Sequence, residues 1–183
     1  FFVISGYLIT TILISEIAQG KFSIINFYER RARRILPALF FMLLIVSAIS
    51  AVIMNPSQLK DYGQSLAANG VFLSNIFFYF KTDYWAQASE LLPLLHTWSL
   101  AVEEQFYLLF PLFLTLVWRF GSNRVFWMIF AMAVVSLLLS EWGWQNWPSA
   151  NFFLPITRAW ELLAGSITAL VLHKKGIQKN DYL

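Results

Sequence analysis

The stretch Leu94–Tyr107 reads Leu-Leu-His-Thr-Trp-Ser-Leu-Ala-Val-Glu-Glu-Gln-Phe-Tyr and runs into an apolar segment that ends at Trp118. An ionisable group in lipid costs roughly 2.5 kcal/mol or far more, so such groups pair, face a wet cavity, and mark a site. His96, Ser99 and Glu103 stand at i, i+3 and i+7, one helical face that Tyr107 extends. Glu104 falls off that face, so the two carboxylates are not expected to form a close dyad. The chemistry open to His96, Ser99, Glu103 and Glu104 as candidate catalytic residues is acid–base or nucleophilic. An imidazole could activate a hydroxyl, and a glutamate could orient the imidazole or take the proton itself. The plainer reading is a polar seam between helices, with Ser99 capping the helix start. A serine-hydrolase triad finds no support, because there is no nucleophile elbow and side chains stacked on one helix lack the in-line geometry.

A second cluster, Phe27-Tyr-Glu-Arg-Arg-Ala-Arg-Arg-Ile35, sits where an apolar segment begins. Arg30, Arg33 and Arg34 share a helical face. Guanidinium groups suit bidentate phosphate binding, and they also anchor topology by positive charge and snorkelling. A third cluster holds Arg158 and Glu161, one helical turn apart and expected to form a structural ion pair, with Gly165 allowing close helix approach. Asn69-Gly70 and Ser74-Asn75 are assigned to a turn, Asn75 also being able to hydrogen-bond a substrate.

These groups must be positioned by membrane helices. Of the 183 residues 58% are hydrophobic and 13% charged, with 18 Phe and 8 Trp, and the mean hydropathy is +0.61. A soluble domain is about 45–50% apolar and about 25% charged. The net charge of +3 gathers at segment ends, which argues for membrane topology and against nucleic acid. The absence of cysteine excludes disulfides and thiolate chemistry, and two distant histidines argue against a structural zinc site, so no metal is expected.

The expected fold is an all-α, polytopic transmembrane helical bundle with about five spanning segments and one re-entrant segment. Spans are expected over Phe1–Ser15, Ile35–Met54 (Pro37 in its first turn), Leu100–Trp118, Val125–Leu139 and Ile156–Leu172, the last ending in His173-Lys174-Lys175. Lys21–Arg34 reads as a polar connection, Asn55–Ser65 and Lys81–Leu95 as polar loops, Arg119–Arg124 as a short basic turn, and Glu141–Ala150 as a loop whose Trp142, Trp144 and Trp147 suit an interface. Placing every basic group in the cytoplasm requires Leu66–Phe80, too short and polar to span, to dip in and return, with Asn55–Trp98 extracytoplasmic. A start at Phe1, without Met and inside an apolar segment, reads as an internal fragment with helices before it and after Leu183.

Together Phe1-Phe-Val-Ile-Ser-Gly-Tyr-Leu-Ile-Thr10, Phe27–Pro37, Ser74-Asn75, Leu94–Tyr107 and Arg158–Gly165 resemble the acyltransferase-3 family of integral-membrane acyltransferases, in that family's order along the whole chain. The resemblance is nearest to bacterial members that O-acetylate surface polysaccharides such as lipopolysaccharide O-antigen and peptidoglycan. It implies a multi-pass protein of the bacterial inner membrane, residues 1–183 forming part of one transmembrane acyltransferase domain. Its partners would be membrane lipids, cytoplasmic acetyl-CoA as donor substrate, and a surface glycan, O-antigen or similar, as acceptor.

The family's Arg-x-x-Arg motif falls on Arg31 and Arg34, which, with Arg30 and Arg33, would hold the CoA phosphates. Glu103 or Glu104 would orient or deprotonate the sugar toward the acceptor side, with Trp98, Gln105, Tyr107 and Asn75 as substrate-contact candidates. The family also carries an Arg and a His eleven residues apart in a first helix that would precede Phe1. His96 does not replace that histidine, so the fragment alone is expected to be inactive. Two rivals remain at this stage. In a transporter or exporter the buried charges would line a substrate or proton pathway, and in an assembly subunit they would only lock helices.

Overall fold

The computed structural model describes residues 1–84, 92–174 and 176, and among these it contains helices and no strand. The helices are α1 (Phe2–Ala18), α2 (Ile24–Ile53), α3 (Pro56–Gly70), α4 (Ser74–Tyr84), a 3-10 turn (Leu95–Thr97), α5 (Trp98–Trp118), α6 (Ser122–Asn146), α7 (Pro148–Phe153) and α8 (Pro155–Lys174). Lys175 and residues 85–91 of the expected Lys81–Leu95 loop lie outside the described residues. Three helices, Ile24–Ile53, Leu95–Trp118 and Ser122–Asn146, are long and apolar enough to cross a membrane, and Phe2–Ala18 is a shorter apolar helix. Helix α8, with 20 residues, carries Arg158, Glu161, His173 and Lys174.

Several boundaries differ from the sequence expectation. The Lys21–Arg34 connection is helical from Ile24, so the arginines belong to α2. Ser23 caps its start, accepting from Asn26 N at 3.5 Å. Pro37 is therefore interior to a 30-residue helix rather than in a first turn, where it takes one N–H out of the ladder, the one that would bond to Arg33. Asn55–Ser65 is helix, not loop. Pro56 occupies the first turn, and the Asn55 N–H donates to the Gln58 side chain at 3.1 Å, half of a capping box. Glu141–Ala150 is largely helix too, because α6 runs to Asn146 and α7 begins at Pro148.

The chain divides into two compact units, Phe1–Phe22 with Gln105–Leu183, and Ser23–Glu104. In the first, α8 is the hub, packing on α1 and α6. Gly6 lies on Leu162, and the Thr10 hydroxyl donates to Ser166 at 2.8 Å, so α1 and α8 advance in step and run in the same direction. Ser136 meets Ile156 and Trp160 while Asn123 meets Lys174, so α6 runs opposite to α8. Ile9, Leu13, Ile14, Leu114, Ile129 and Leu162 form the buried core.

In the second unit the Tyr62 hydroxyl of α3 bonds to Ser47 of α2 at 2.8 Å, and Lys81 of α4 pairs with Asp61 of α3 at 2.6 Å. Buried Phe78, Leu94 and Val102 fill the interior. The outer surface of α2 displays Phe40, Phe41, Leu44, Ile49 and Val52, the composition of a lipid-facing surface.

Candidate functional site

The site is built where the N-terminal parts of α2 and α5, beyond their first turns, carry charge. Four arginines in five positions cannot share one environment on a helix that turns about 100° per residue. Arg30, Arg33 and Arg34 are exposed, as their common face requires, and Arg31 is half-buried. Arg33 is held by Glu29 one turn earlier at 2.7 Å, both largely in solvent. Arg34 makes no hydrogen bond or ion pair among the described residues. The Arg31 guanidinium interacts electrostatically with Glu104 and with Glu103 of α5.

Glu103 is buried, at 6% exposure, and Glu104 is half-buried. The two carboxylates also interact with each other. Oε1 of Glu104 is buried and accepts no hydrogen bond among the described residues. Arg31 of α2 thus feels both carboxylates of α5, which brings the arginine run and the carboxylate pair into one electrostatic neighbourhood.

His96 and Ser99 are not brought into a hydroxyl–imidazole pair. His96 lies in the 3-10 turn before α5, its ring exposed and without a hydrogen bond among the described residues. Ser99 donates its hydroxyl proton back to the His96 carbonyl at 3.2 Å, so it neither caps the helix nor faces the ring. The first buried hydroxyl of this stretch belongs to Thr97, which donates to the Leu94 carbonyl at 2.6 Å.

Tyr107 is buried with its hydroxyl on Ser5 of α1, a partner 102 positions away in sequence. Trp98 and Gln105 are half-buried. Asn75 is fully buried near the start of α4, where Ser74 donates to the Thr97 carbonyl at 3.1 Å. The turn expected at Asn69-Gly70 closes two residues later. Phe72 takes φ 55° and Leu73 N bonds to the Ala68 carbonyl at 2.8 Å, the 6→1 closure of a Schellman end.

Arg158 and Glu161 pair at 2.6 Å, as their spacing called for, and the guanidinium also lies 5.2 Å from the Phe152 ring centre. Sequence reading missed Ser136, whose hydroxyl donates to the Ile156 carbonyl at 2.5 Å and accepts from Trp160 N at 3.0 Å, entering the backbone ladder of α8 from α6. A serine in the middle of an apolar helix was the available signal.

Comparison with known proteins gives a consistent result. The family model described as an acyltransferase domain matches residues 1–181. A Haemophilus influenzae protein described as uncharacterized is 36% identical over 182 residues, covering 93% of this chain and 72% of its own. The O-acetyltransferase OatA of Staphylococcus aureus is 35% identical over 187 residues, covering 98% of this chain and 30% of its own. The peptidoglycan O-acetyltransferase OatA of Listeria monocytogenes is 34% identical over 180 residues, covering 93% and 28%. The chain thus spans under a third of the length of these two O-acetyltransferases. No solved structure matches. With its model matched along residues 1–181 of 183, this chain belongs to the acyltransferase-3 family.

Proposed function

We propose that this chain is part of a bacterial inner-membrane O-acetyltransferase that moves an acetyl group from cytoplasmic acetyl-CoA to a hydroxyl of a cell-surface glycan. The observation that carries the reading is the acyltransferase-domain match over residues 1–181, supported by relatives named as O-acetyltransferases. Peptidoglycan as acceptor has the support of the Listeria relative's name, whereas O-antigen rests on the resemblance alone. The transporter reading drew on buried charges and a broken segment, and the family match favours group transfer over it.

The reaction is an exchange of one acyl bond for another. The sugar oxygen attacks the thioester carbonyl carbon, the carbon–oxygen bond forms and the carbon–sulfur bond breaks. The hydroxyl proton passes to a base and then to the departing sulfur, leaving an O-acetyl sugar and the free thiol. Glu103 or Glu104 is the candidate base. The polyanionic donor suits the exposed α2 face, where Arg34, with Arg30 beside it, presents guanidinium groups to the phosphates.

Topology supports the division of sides. Because α1 and α8 run in the same direction and α6 opposes them, the end of α1, the Arg119–Arg124 turn and Lys174 fall at one end of the first unit. Positive charge assigns that end to the cytoplasm. If α2 leaves it and α5 returns to it, the α3–α4 pair between them makes no net crossing, as a re-entrant or interfacial element would.

Mass analysis of surface glycans from cells with the full-length gene intact or deleted tests this function. Deletion is expected to remove acetyl groups from one glycan class, and unchanged acetylation in every class would overturn the reading.

A further inference from the structure

Within the first unit, the end of α6, the whole of α7 and the start of α8 meet at the end opposite Lys174. Polar groups crowd there. Asn151 N donates to the Trp147 carbonyl at 2.9 Å, and the Thr157 hydroxyl donates to the Asn151 carbonyl at 2.8 Å. A Cβ on Gly143 would lie 3.1 Å from Asn151 Oδ1, so the amide rests against α6. Two side-chain atoms of this region, Asn151 Oδ1 and Trp160 Nε1, are buried and make no hydrogen bond among the described residues. One is an acceptor and the other a donor. A buried polar atom without a partner is rare in a folded protein. Beside them Trp142 and Trp147 stand edge to face, ring centres 4.9 Å apart, and are 52% and 60% exposed.

Resting on the acyl-transfer reading, we propose that this end of the first unit binds the acceptor glycan, the Trp142–Trp147 pair stacking on the C–H face of a sugar ring while Asn151 Oδ1 and Trp160 Nε1 take up its hydroxyl groups. A sugar ring carries an apolar face and hydroxyls that both donate and accept, which matches two exposed rings and one open group of each kind. The donor nucleotide does not match. Arg158 and Glu161 pair with each other at 2.6 Å, and exposed Glu141 adds a negative charge nearby, so no excess of positive charge awaits a phosphate. Positive charge assigns the opposite end of the unit to the cytoplasm, which leaves this end on the acceptor's side. Tryptophans also anchor helices at a bilayer interface, but that role asks nothing of Asn151 or of the Trp160 indole N–H.

The test titrates the full-length protein in nanodiscs, without acetyl-CoA, and reads Kd by calorimetry. The probes are oligosaccharides released from the producing cell's peptidoglycan and from its outer polysaccharide, of which at least one is expected to bind. Trp147→Ala is expected to weaken that binding by about tenfold or more, and Trp147→Phe by less. Asn151→Leu and Trp160→Phe are each expected to weaken it by about threefold or more. Their Tm is expected to hold or rise, because the deleted atoms have no partner among the described residues. Trp127→Ala removes a tryptophan of similar exposure, 59%, near the other end of α6 and is expected to leave Kd unchanged. In the transfer assay Trp147→Ala is expected to raise KM for the glycan while KM for acetyl-CoA and kcat are retained.

An unmodified protein that binds neither probe, or a Trp147→Ala variant that binds as tightly as its parent, overturns the site and leaves the tryptophans as interfacial anchors. A fall in Tm with Kd retained for Asn151→Leu and Trp160→Phe assigns those atoms to the fold and overturns it too. Glycan binding that depends on Trp147 and Asn151, in a protein that transfers acetyl to no glycan, leaves the site standing and overturns the acyl-transfer reading instead.

Discussion

A serine near the start of a helix finds a backbone carbonyl three residues back within reach, and Ser99 takes it. That single local bond dissolves the hydroxyl–imidazole pair that the i, i+3 spacing of His96 and Ser99 invited, since the spacing assumes α-helical geometry and His96 belongs to a 3-10 turn. His96→Ala is therefore expected to leave stability within about 0.5 kcal/mol of the parent and acetyl transfer intact, measured on the purified full-length protein. Loss of activity in a folded variant would restore His96 to the site. Ser136 shows the opposite case, a side chain whose two backbone partners lie on another helix. Ser136→Ala leaves the Ile156 carbonyl and Trp160 N–H without that bridge. It is expected to lower the unfolding free energy by about 1–2 kcal/mol, visible as a fall in Tm, whereas Ser136→Thr, which keeps the hydroxyl, is expected to retain part of it.

Elements were legible where one physical rule governed them. The apolar runs of α5 and α6 announced themselves by length, and the Arg158–Glu161 pair by its one-turn spacing. They were misread where two rules shared a signature. Asn55–Ser65 reads as a polar loop, but Asn55-Pro56 opens α3, with Asn55 before and Pro56 inside the first turn. The arginine run reads as a connection, yet α2 starts seven residues before Arg31 because Ser23 caps it. Phe72 could not be foreseen at φ 55°, since glycine at position 70 is the residue that sequence favours there. The electrostatic influence of Glu103 and Glu104 on Arg31 was hidden for a different reason, because a neighbour on another helix leaves no periodicity in either one.

The tightest element contact is α1 on α8. A Cβ on Gly6 would lie 2.7 Å from the Leu162 carbonyl carbon and 2.9 Å from its Cα, and one on Gly165 would lie 2.5 Å from Tyr7 N. Small residues let helix backbones meet in lipid, where burial of apolar surface gives little drive. Gly6→Ala is expected to cost about 1–3 kcal/mol by forcing the pair apart. Gly63→Ala in α3, where a Cβ meets nothing within 4 Å, is expected to be neutral or to stabilise by up to about 1 kcal/mol. Thermal unfolding of the two variants side by side checks the sign, and equal Tm values would remove the close approach as a determinant of packing.

For the whole molecule, sidedness follows from counting crossings. Helix α4, with 11 residues, reaches only about 16 Å at 1.5 Å per residue, against a hydrocarbon core of about 30 Å. Helix α3 carries Lys60, Asp61, Gln58 and Gln64 within its 15 residues, a composition that lipid rejects. Neither alone is long and apolar enough to cross, and the Lys81–Asp61 pair ties them together. These 183 residues contain no cysteine, so thiols introduced here into a full-length protein freed of any other cysteine report position. Ser57→Cys, exposed at the start of α3, is expected to react with a membrane-impermeant maleimide added to intact spheroplasts. Ser122→Cys, exposed at the start of α6, is expected to react only after the membrane is opened. Labelling of both from outside would mean that α3–α4 completes a crossing. The Arg119–Arg124 turn would then face the exterior against the bias of positive charge, and the even count of crossings drawn from the α1–α8–α6 directions would be wrong.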